Sequence, residues 1–332
     1  MKKILAYFCA FALVFGCCFG LIGCKNKDKS VIRLNEVTHS VFYAPLYLAM
    51  NLGYFEDENI TIKLVNGGGS NVSMSALLSN SADIALLGPE TVCYVASQGS
   101  TNHPMIFGQL TKRDGSFLVS RKNEPNFNWN NLKDKTVIAG RKGGLPAMTF
   151  EYVVNNLGLT NGNNITLDTS TAFNMMVPTF ESGKGDYCTM FEPTASEYVA
   201  AGKGYIVASV GEYSGEIPYT CFMAMPKYIK KNPEKIKGFL RAVSKAYTYL
   251  MTKDSEEVAK ALSKSFDGSS IASLKIAVES YKKIDAWMSS PAMTEASFNK
   301  LLTVLKNAGE LSGKTVEFKD VVDNSFALEL VS

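Results

Sequence analysis

Histidine is scarce. The 332 residues hold two, His39 and His103. A catalytic histidine triad or a His-rich metal site needs more, so no metal and no cofactor is expected. Nucleotide-binding glycine patterns are also missing: Gly140-Arg141-Lys142-Gly143-Gly144-Leu145-Pro146 does not fit GxxxxGK[ST], and residues 66–71 do not fit GxGxxG. Neither GxSxG nor HExxH occurs, so nothing here argues for an enzyme. Charge of one sign is not concentrated. The formal net charge is +3 and no basic block stands out, which leaves nucleic-acid binding without support. The scattered lysines read as solvated faces.

Cysteine looks plentiful until its positions are read. Cys9, Cys17, Cys18 and Cys24 fall in the first 24 residues, which leaves Cys93, Cys188 and Cys221. Those three are far apart and lack a metal spacing such as CxxC. They read as small buried apolar side chains, with one disulfide open as an alternative.

The amino-terminal stretch has the layout of an export signal. Lys2 and Lys3 precede an apolar run over residues 4–22. The run ends in Leu21-Ile22-Gly23-Cys24, which resembles a bacterial lipobox, and a polar stretch rich in lysine follows. Residues 1–23 are therefore expected to be a lipoprotein signal peptide and 24–30 a lipidated linker, with Cys24 acylated. An uncleaved anchor is the other reading. Both place the remainder outside the cytoplasm, and a multiply acylated Cys24 would hold it stably at a bilayer surface.

The rest of the chain exceeds the usual size of one domain. Strand, turn and helix patterns recur in order. Residues 32–34 alternate as a strand, a polar turn follows, and Pro45 opens a helix that Gly53 stops. Residues 60–65 alternate again, the Gly-rich turn 66–70 follows, and Ser70 is placed to cap the next helix. A short apolar strand at 82–87 has the character of a buried parallel strand; Gly88-Pro89-Glu90 then opens another helix. A strand over 105–110 follows. A second set of cycles begins after Gly115: 117–119, expected to cross between lobes, then 136–139, 165–167, 187–191 and 205–208 as strands. A helix near 174–182 is expected to be interrupted by Pro178. Residues 219–225 read as a return strand. Beyond Pro226, four segments (233–251, 255–265, 271–287 and 296–308) fit helical periods.

Function, on this pattern, concentrates in the turns at the carboxyl ends of strands, where open α/β sheets bind small ligands. Five turns carry small or polar residues, at 38–40, 67–70, 88–90, 140–144 and 192–193. Several open helices, whose free N–H groups and dipoles favour negative charge. Glu192 ends an apolar strand; inside a cleft it would need a donor such as a ligand amino group. A solvated helix-capping role is its other reading. Phe42, Tyr43, Trp129, Phe191 and Tyr219 are candidates to stack on a planar ligand.

These residues resemble a known family. The stretches EVTHSVFYAPLYLAMNLGYF, SADIALLGPE, GRKGGLP, MFEP and PYT look like those of solute-binding lipoproteins of ABC importers. The branch includes binders of thiamine pyrimidine precursors, riboflavin and alkanesulfonates. The resemblance covers nearly all of the chain after Cys24. It implies an α/β, two-lobed periplasmic-binding-protein-like (type II) fold. Lobe 1 would comprise 31–111 and 222–332, and lobe 2 would comprise 112–221. Ligand would lie between the lobes, touched by Thr38, His39, Ser40, Phe42, Tyr43, Gly68, Ser70, Gly88, Glu90, Gly143, Gly144, Glu192 and Tyr219. The implied partners are a small-molecule ligand, a membrane permease and its ATPase, with the protein a lipid-anchored monomer. The Cys-rich motif of pyrimidine-synthesising relatives is missing. A planar heterocycle is the expected cargo, with an alkanesulfonate, taurine or riboflavin, and a cleft enzyme, as alternatives.

Overall fold

A computed structural model describes residues 30–330, so Cys24 and the expected signal peptide lie outside the described residues. The strands are β1 (Ser30–Glu36), β2 (Ile60–Asn66), β3 (Ile84–Leu87), β4 (Met105–Thr111), β5 (Ser116–Ser120), β6 (Thr136–Ile138), β7 (Thr166–Asp168), β8 (Tyr187–Phe191), β9 (Tyr205–Ser209) and β10 (Thr220–Ala224). They form two five-stranded sheets, ordered β2-β1-β3-β10-β4 and β7-β6-β8-β5-β9.

β1 lies parallel to β2 and β3, with Leu34 opposite Leu64 on one side and Ile84 on the other. All four residues of β3 are buried, as a central parallel strand requires. β10 returns to the first sheet and runs antiparallel between β3 and β4. Because β10 begins at Thr220, Thr220 and Cys221 belong to the first sheet, two residues earlier than the expected lobe boundary.

β5 does not span the lobes. It pairs along its length with β8 and β9 inside the second sheet, and all five of its residues are buried. The crossings are instead the irregular stretches on either side, 112–115 and 215–219. Thr111 Oγ1 and Thr220 Oγ1 share a 2.6 Å hydrogen bond where the two meet, and Ile217 N–H donates to the Lys112 carbonyl. Pro178 interrupts nothing. It is the third residue of the Met176–Glu181 helix, where a backbone N–H would have no helical acceptor to lose. Ser70 is the first helical residue after Gly69 rather than a side-chain cap.

The carboxyl-terminal helices close the back of the first sheet. The Pro233–Thr252 helix buries Ile236, Phe239, Leu240, Val243, Tyr247 and Leu250 on one stripe. Phe239 sits 4.8 Å from the Phe222 ring and 5.1 Å from the Phe55 ring. Burying each such side chain contributes about 1.5–3 kcal/mol. The opposite face carries Arg241 and Lys245, paired with Glu58 at 2.6 Å and Asp57 at 3.1 Å. The tail also reaches the second lobe: Lys300 Nζ donates to the Ser214 carbonyl at 2.6 Å. Cys93, Cys188 and Cys221 are buried and free, so the alternative of a disulfide is not realised. Among the described residues no helix is long and apolar enough to cross a membrane.

Candidate functional site

Carboxyl ends of strands from both sheets converge on a cavity of about 250 Å³. The size is near the lower end for small-molecule pockets. The first lobe contributes the turn after β1 and the starts of the Ser70–Leu78 and Glu90–Ser97 helices; the second lobe contributes the start of the Leu145–Asn156 helix, the turn after β7 and the end of β8. Three helix amino termini thus open on one space, each with unpaired N–H groups in its first turn.

The walls are aromatic. Phe42, Tyr43, Phe173, Phe191 and Tyr219 line the cavity. Phe42 lies 5.6 Å from both Phe191 and Tyr219, and Phe173 lies 5.7 Å from Phe191, so the cluster spans the two lobes. Trp129 is elsewhere, packed on Tyr213 and Phe150 in the second lobe's own core.

Two charged side chains line this space. Glu90 is 1% exposed, and neither carboxylate oxygen meets a donor at ordinary hydrogen-bond geometry, although the Glu90 and Leu145 N–H groups lie near enough to favour its charged form. Burial pushes its pKa up to about 7; its own N–H, that of Leu145 and the Arg141 guanidinium offset this only in part. The carboxylate sits over Gly88, where a Cβ would overlap both oxygens. Arg141 stands on the second lobe and donates one hydrogen bond, Nη1 to the Lys142 carbonyl at 3.0 Å. Tyr219 adds a buried hydroxyl beside Asp114, a carboxyl that burial raises to about 6.

Of the residues expected to touch ligand, Thr38, Phe42, Tyr43, Gly68, Ser70, Gly88, Glu90, Gly144 and Tyr219 line the cavity. His39, Ser40, Gly143 and Glu192 do not. Glu192 is fully buried, and its carboxylate is taken by the Ser196 N–H at 2.9 Å and hydroxyl at 2.7 Å. The side chain turns along the next helix and holds its first turn, as the capping alternative had it, but it does so buried rather than solvated, and it does not face the cavity. The Glu192 backbone joins the lobes instead: its carbonyl accepts Ser40 Oγ at 2.5 Å and Val41 N–H at 3.2 Å, and its N–H donates to the Tyr281 hydroxyl. Gly143 offers its carbonyl to Tyr94 Oη at 3.0 Å, across the cleft and beside the cavity.

His39 turns away to the carboxyl-terminal helices. Its Nδ1 lies 2.9 Å from Glu36 Oε1 and its Nε2 lies 2.5 Å from the Ser265 carbonyl. Tyr47 Oη donates to the other Glu36 oxygen at 2.5 Å. The site also includes Asn71, Phe173, Asn174 and Thr220, which sequence reasoning passed over. The stretch 170–174 follows β7, so the strand-end rule used for the other turns would have found Phe173 and Asn174. Among the described residues no group of three or more His, Cys, Asp or Glu is placed to hold a metal.

The family described as NMT1/THI5 like matches residues 41–257, more than half the chain. The Bacillus subtilis (strain 168) protein named "Putative binding protein YtlA" is 38% identical over 315 residues, covering 95% of this chain and 94% of its own. Among solved structures, the alkanesulfonate-binding protein SsuA from Xanthomonas axonopodis pv. citri, bound to MOPS, superposes with a TM-score of 0.72 at 16% identity. It covers 89% of this chain and 99% of its own. The desulfurization enzyme DSZB superposes with a TM-score of 0.62 at 11% identity, over 91% and 99% of the two chains. At these identities the structures speak to fold and not to ligand. The chain belongs to the NMT1/THI5-like family and has the two-lobed α/β fold of periplasmic solute-binding proteins.

Proposed function

We propose that this protein is the solute-binding component of an ABC importer, exported and held by an acylated Cys24 on the outer face of the bacterial cytoplasmic membrane. It captures a small planar nitrogen heterocycle, similar to a thiamine pyrimidine precursor, and delivers it to a membrane permease driven by an ATPase. The observation that carries the ligand choice is Glu90. A buried carboxylate without a hydrogen-bond partner is costly, and ring or amino N–H donors of a ligand would relieve that cost. The aromatic walls suit a flat ring, and the modest cavity favours a pyrimidine over a flavin.

Thr38, Phe42, Tyr43, Gly68, Ser70, Gly88, Glu90, Gly144 and Tyr219 form the proposed contact set. Ligand would bridge the lobes and favour their closed form, which the permease would recognise.

An alkanesulfonate is the second reading, favoured by Arg141 and the three helix amino termini around the same cavity. Against it stands Glu90, which would repel an anion whenever it is ionised.

A thermal-shift screen of the chain from Lys25 onward decides between them, using pyrimidine precursors, thiamine, riboflavin, taurine and alkanesulfonates. A ligand at a hundred times its Kd adds about 2.7 kcal/mol. A shift with an aminopyrimidine and none with sulfonates is expected; the reverse would replace the heterocycle. Turnover of the bound compound would move the protein to the enzyme class.

A further inference from the structure

The end of the first sheet that lies away from the cavity is basic. β1 and β3 begin there and β10 ends there, because β10 runs antiparallel to β3 with Met223 opposite Ala85. Arg33 and Asp83 mark this end, joined from Nη2 to Oδ1 at 2.7 Å. The Pro226–Lys231 helix follows β10, and Tyr228 and Lys235 lie close enough to act on the charges of that pair. Ile229 is the buried residue of this short helix. Lys227, Lys230 and Lys231 are exposed and stand at i, i+3 and i+4, so they share one face. Lys63 extends the same surface from β2, exposed and opposite Arg33 in the β1–β2 register. Among the described residues these four lysines have no ion pair, while neighbouring acids are taken: Asp83 by Arg33, Glu58 by Arg241 and Asp57 by Lys245. Glu234 stands in the same run and acts on Lys237 and Arg241.

This end is also where the described chain begins. Ser30 opens β1, and its N–H donates to the Asn59 carbonyl at 2.9 Å beside the start of β2. Cys24 lies six residues earlier, a reach of at most about 20 Å, and Lys25, Lys27 and Lys29 fall between them. An acylated Cys24 therefore keeps this end close to a bilayer, and so short a connection gives a weak surface contact a high effective concentration. We propose that the basic end of the first lobe docks on an anionic bilayer, with Lys63, Lys227, Lys230 and Lys231 against the headgroup phosphates. The proposal rests on the reading of Cys24 as the lipid attachment and goes beyond it: the acyl chains hold the protein at the membrane, and the lysines fix which way it stands. The cavity lies at the other ends of the same strands, about 20 Å away along β1, so docking leaves the lobes free to part.

The test uses the full chain expressed in a bacterium, taken from its membranes in detergent and reconstituted into vesicles. One set is phosphatidylcholine alone and the other is phosphatidylcholine mixed with phosphatidylglycerol. Acetylation of surface amines by an impermeant reagent is read by mass spectrometry. Labelling of Lys227, Lys230 and Lys231, relative to Lys184 on the second lobe, should fall about fivefold or more in the anionic vesicles and recover at high salt. Each lysine at the surface is worth about fivefold in partition, so Lys230→Gln should weaken the protection of Lys227 and Lys231 by about that factor. Its melting temperature should match the parent, since the side chain is exposed. Equal labelling in the two vesicle types overturns the proposal. Protection found in native membranes and in neither vesicle overturns it in favour of an acidic protein partner. The amino-terminal peptide in the same spectra reports acylation, so the two readings fail separately: acylated Cys24 with unprotected lysines keeps the anchor and sinks the docking surface, and salt-sensitive protection without acylation does the opposite.

Discussion

The carboxylate of Glu90 occupies the space that a side chain at Gly88 would need. Gly88 does not have a positive φ, so its backbone accepts an L-residue, and the atoms nearest an added Cβ all belong to the Glu90 head group. A flexible carboxylate can swing away, which keeps the fold. Gly88→Ala should therefore cost ligand affinity about tenfold or more by displacing Glu90, the value of a lost hydrogen bond to a charged group. Its melting temperature should stay within a few degrees of the parent. Calorimetry paired with a thermal melt checks this; full affinity in the variant would show that the position of Glu90 is immaterial.

Glu90 also sets a pH dependence. Its folded pKa of about 7 lies above the ordinary value of 4.5, so the folded state holds this proton more tightly than the unfolded chain. The associated stability is fully present below about pH 4.5 and is lost as the pH rises to about 7. The shift corresponds to a loss on the order of 3 kcal/mol. Asp114, raised to about 6, acts in the same direction at lower pH. Urea unfolding at pH 4.5 and pH 8 should show the parent losing more stability than Glu90→Gln across that interval. Equal losses would mean that Glu90 is not the buried acid responsible.

Ligand binding should run the other way with pH. Donors from a ligand favour the ionised carboxylate, so binding releases a proton and affinity rises between pH 5.5 and pH 8. Calorimetry in two buffers of different ionisation enthalpy would detect that proton. An absence of buffer dependence at pH 6.5 would argue that the ligand does not reach Glu90.

Much of this architecture is legible in the chain itself. Alternation at Ile60-Thr61-Ile62-Lys63-Leu64 and the continuous apolar run of β3 mark strands because burial on one face or two leaves different periods. Glycines and prolines at the turns mark where helices begin, and eight of the residues expected from turns at strand ends line one cavity, joined by Tyr219 from just ahead of β10. What the chain conceals is side-chain direction. Glu90 and Glu192 both come between an apolar strand and the body of a helix, Glu90 as the first helical residue and Glu192 two residues before one, yet one lines the cavity and the other binds Ser196. That choice depends on which partners the tertiary packing delivers. His39 is a similar case: its acceptors are three residues away at Glu36 and 226 residues away at Ser265, and only the latter settles its orientation. β5 misled for a related reason, since a short apolar strand does not declare its neighbours.

The His39 contacts make a second pH-dependent element. Both ring nitrogens face acceptors, and only the doubly protonated ring can donate to both. The hydrogen bond that the ring donates to Glu36 raises its pKa first and foremost, with burial opposing. Its stabilisation is thus complete below the ordinary value of 6.5 and is lost as the pH climbs through the raised value. With the side chain 38% exposed, solvent screening limits the effect. His39→Ala should cost about 1 kcal/mol at pH 5.5 and less at pH 8.5, measured by urea unfolding. The reverse order would mean that the ring is neutral in the folded protein.

Tyr94 offers a test of closure itself. Its hydroxyl, on the first lobe, donates to the Gly143 carbonyl on the second at 3.0 Å, and Lys142 approaches Glu310 at 3.8 Å beside it. Neither the Tyr94 ring nor its hydroxyl lines the ligand cavity, so its removal alters no proposed ligand contact. Tyr94→Phe keeps the ring and deletes only the hydroxyl, whose partners, the Gly143 carbonyl and the Met148 sulfur at 3.4 Å, both lie on the second lobe; that contact is worth about 1 kcal/mol in the closed form and nothing once the lobes part. If ligand holds the cleft shut, that difference appears as an affinity about fivefold weaker, carried by faster dissociation with association nearly unchanged. Stopped-flow fluorescence can follow both rates, since Trp287 Nε1 donates to the carbonyl of the cavity residue Phe42 at 2.8 Å. Slower association with unchanged dissociation would place Tyr94 on the way into the cleft and not in its closure.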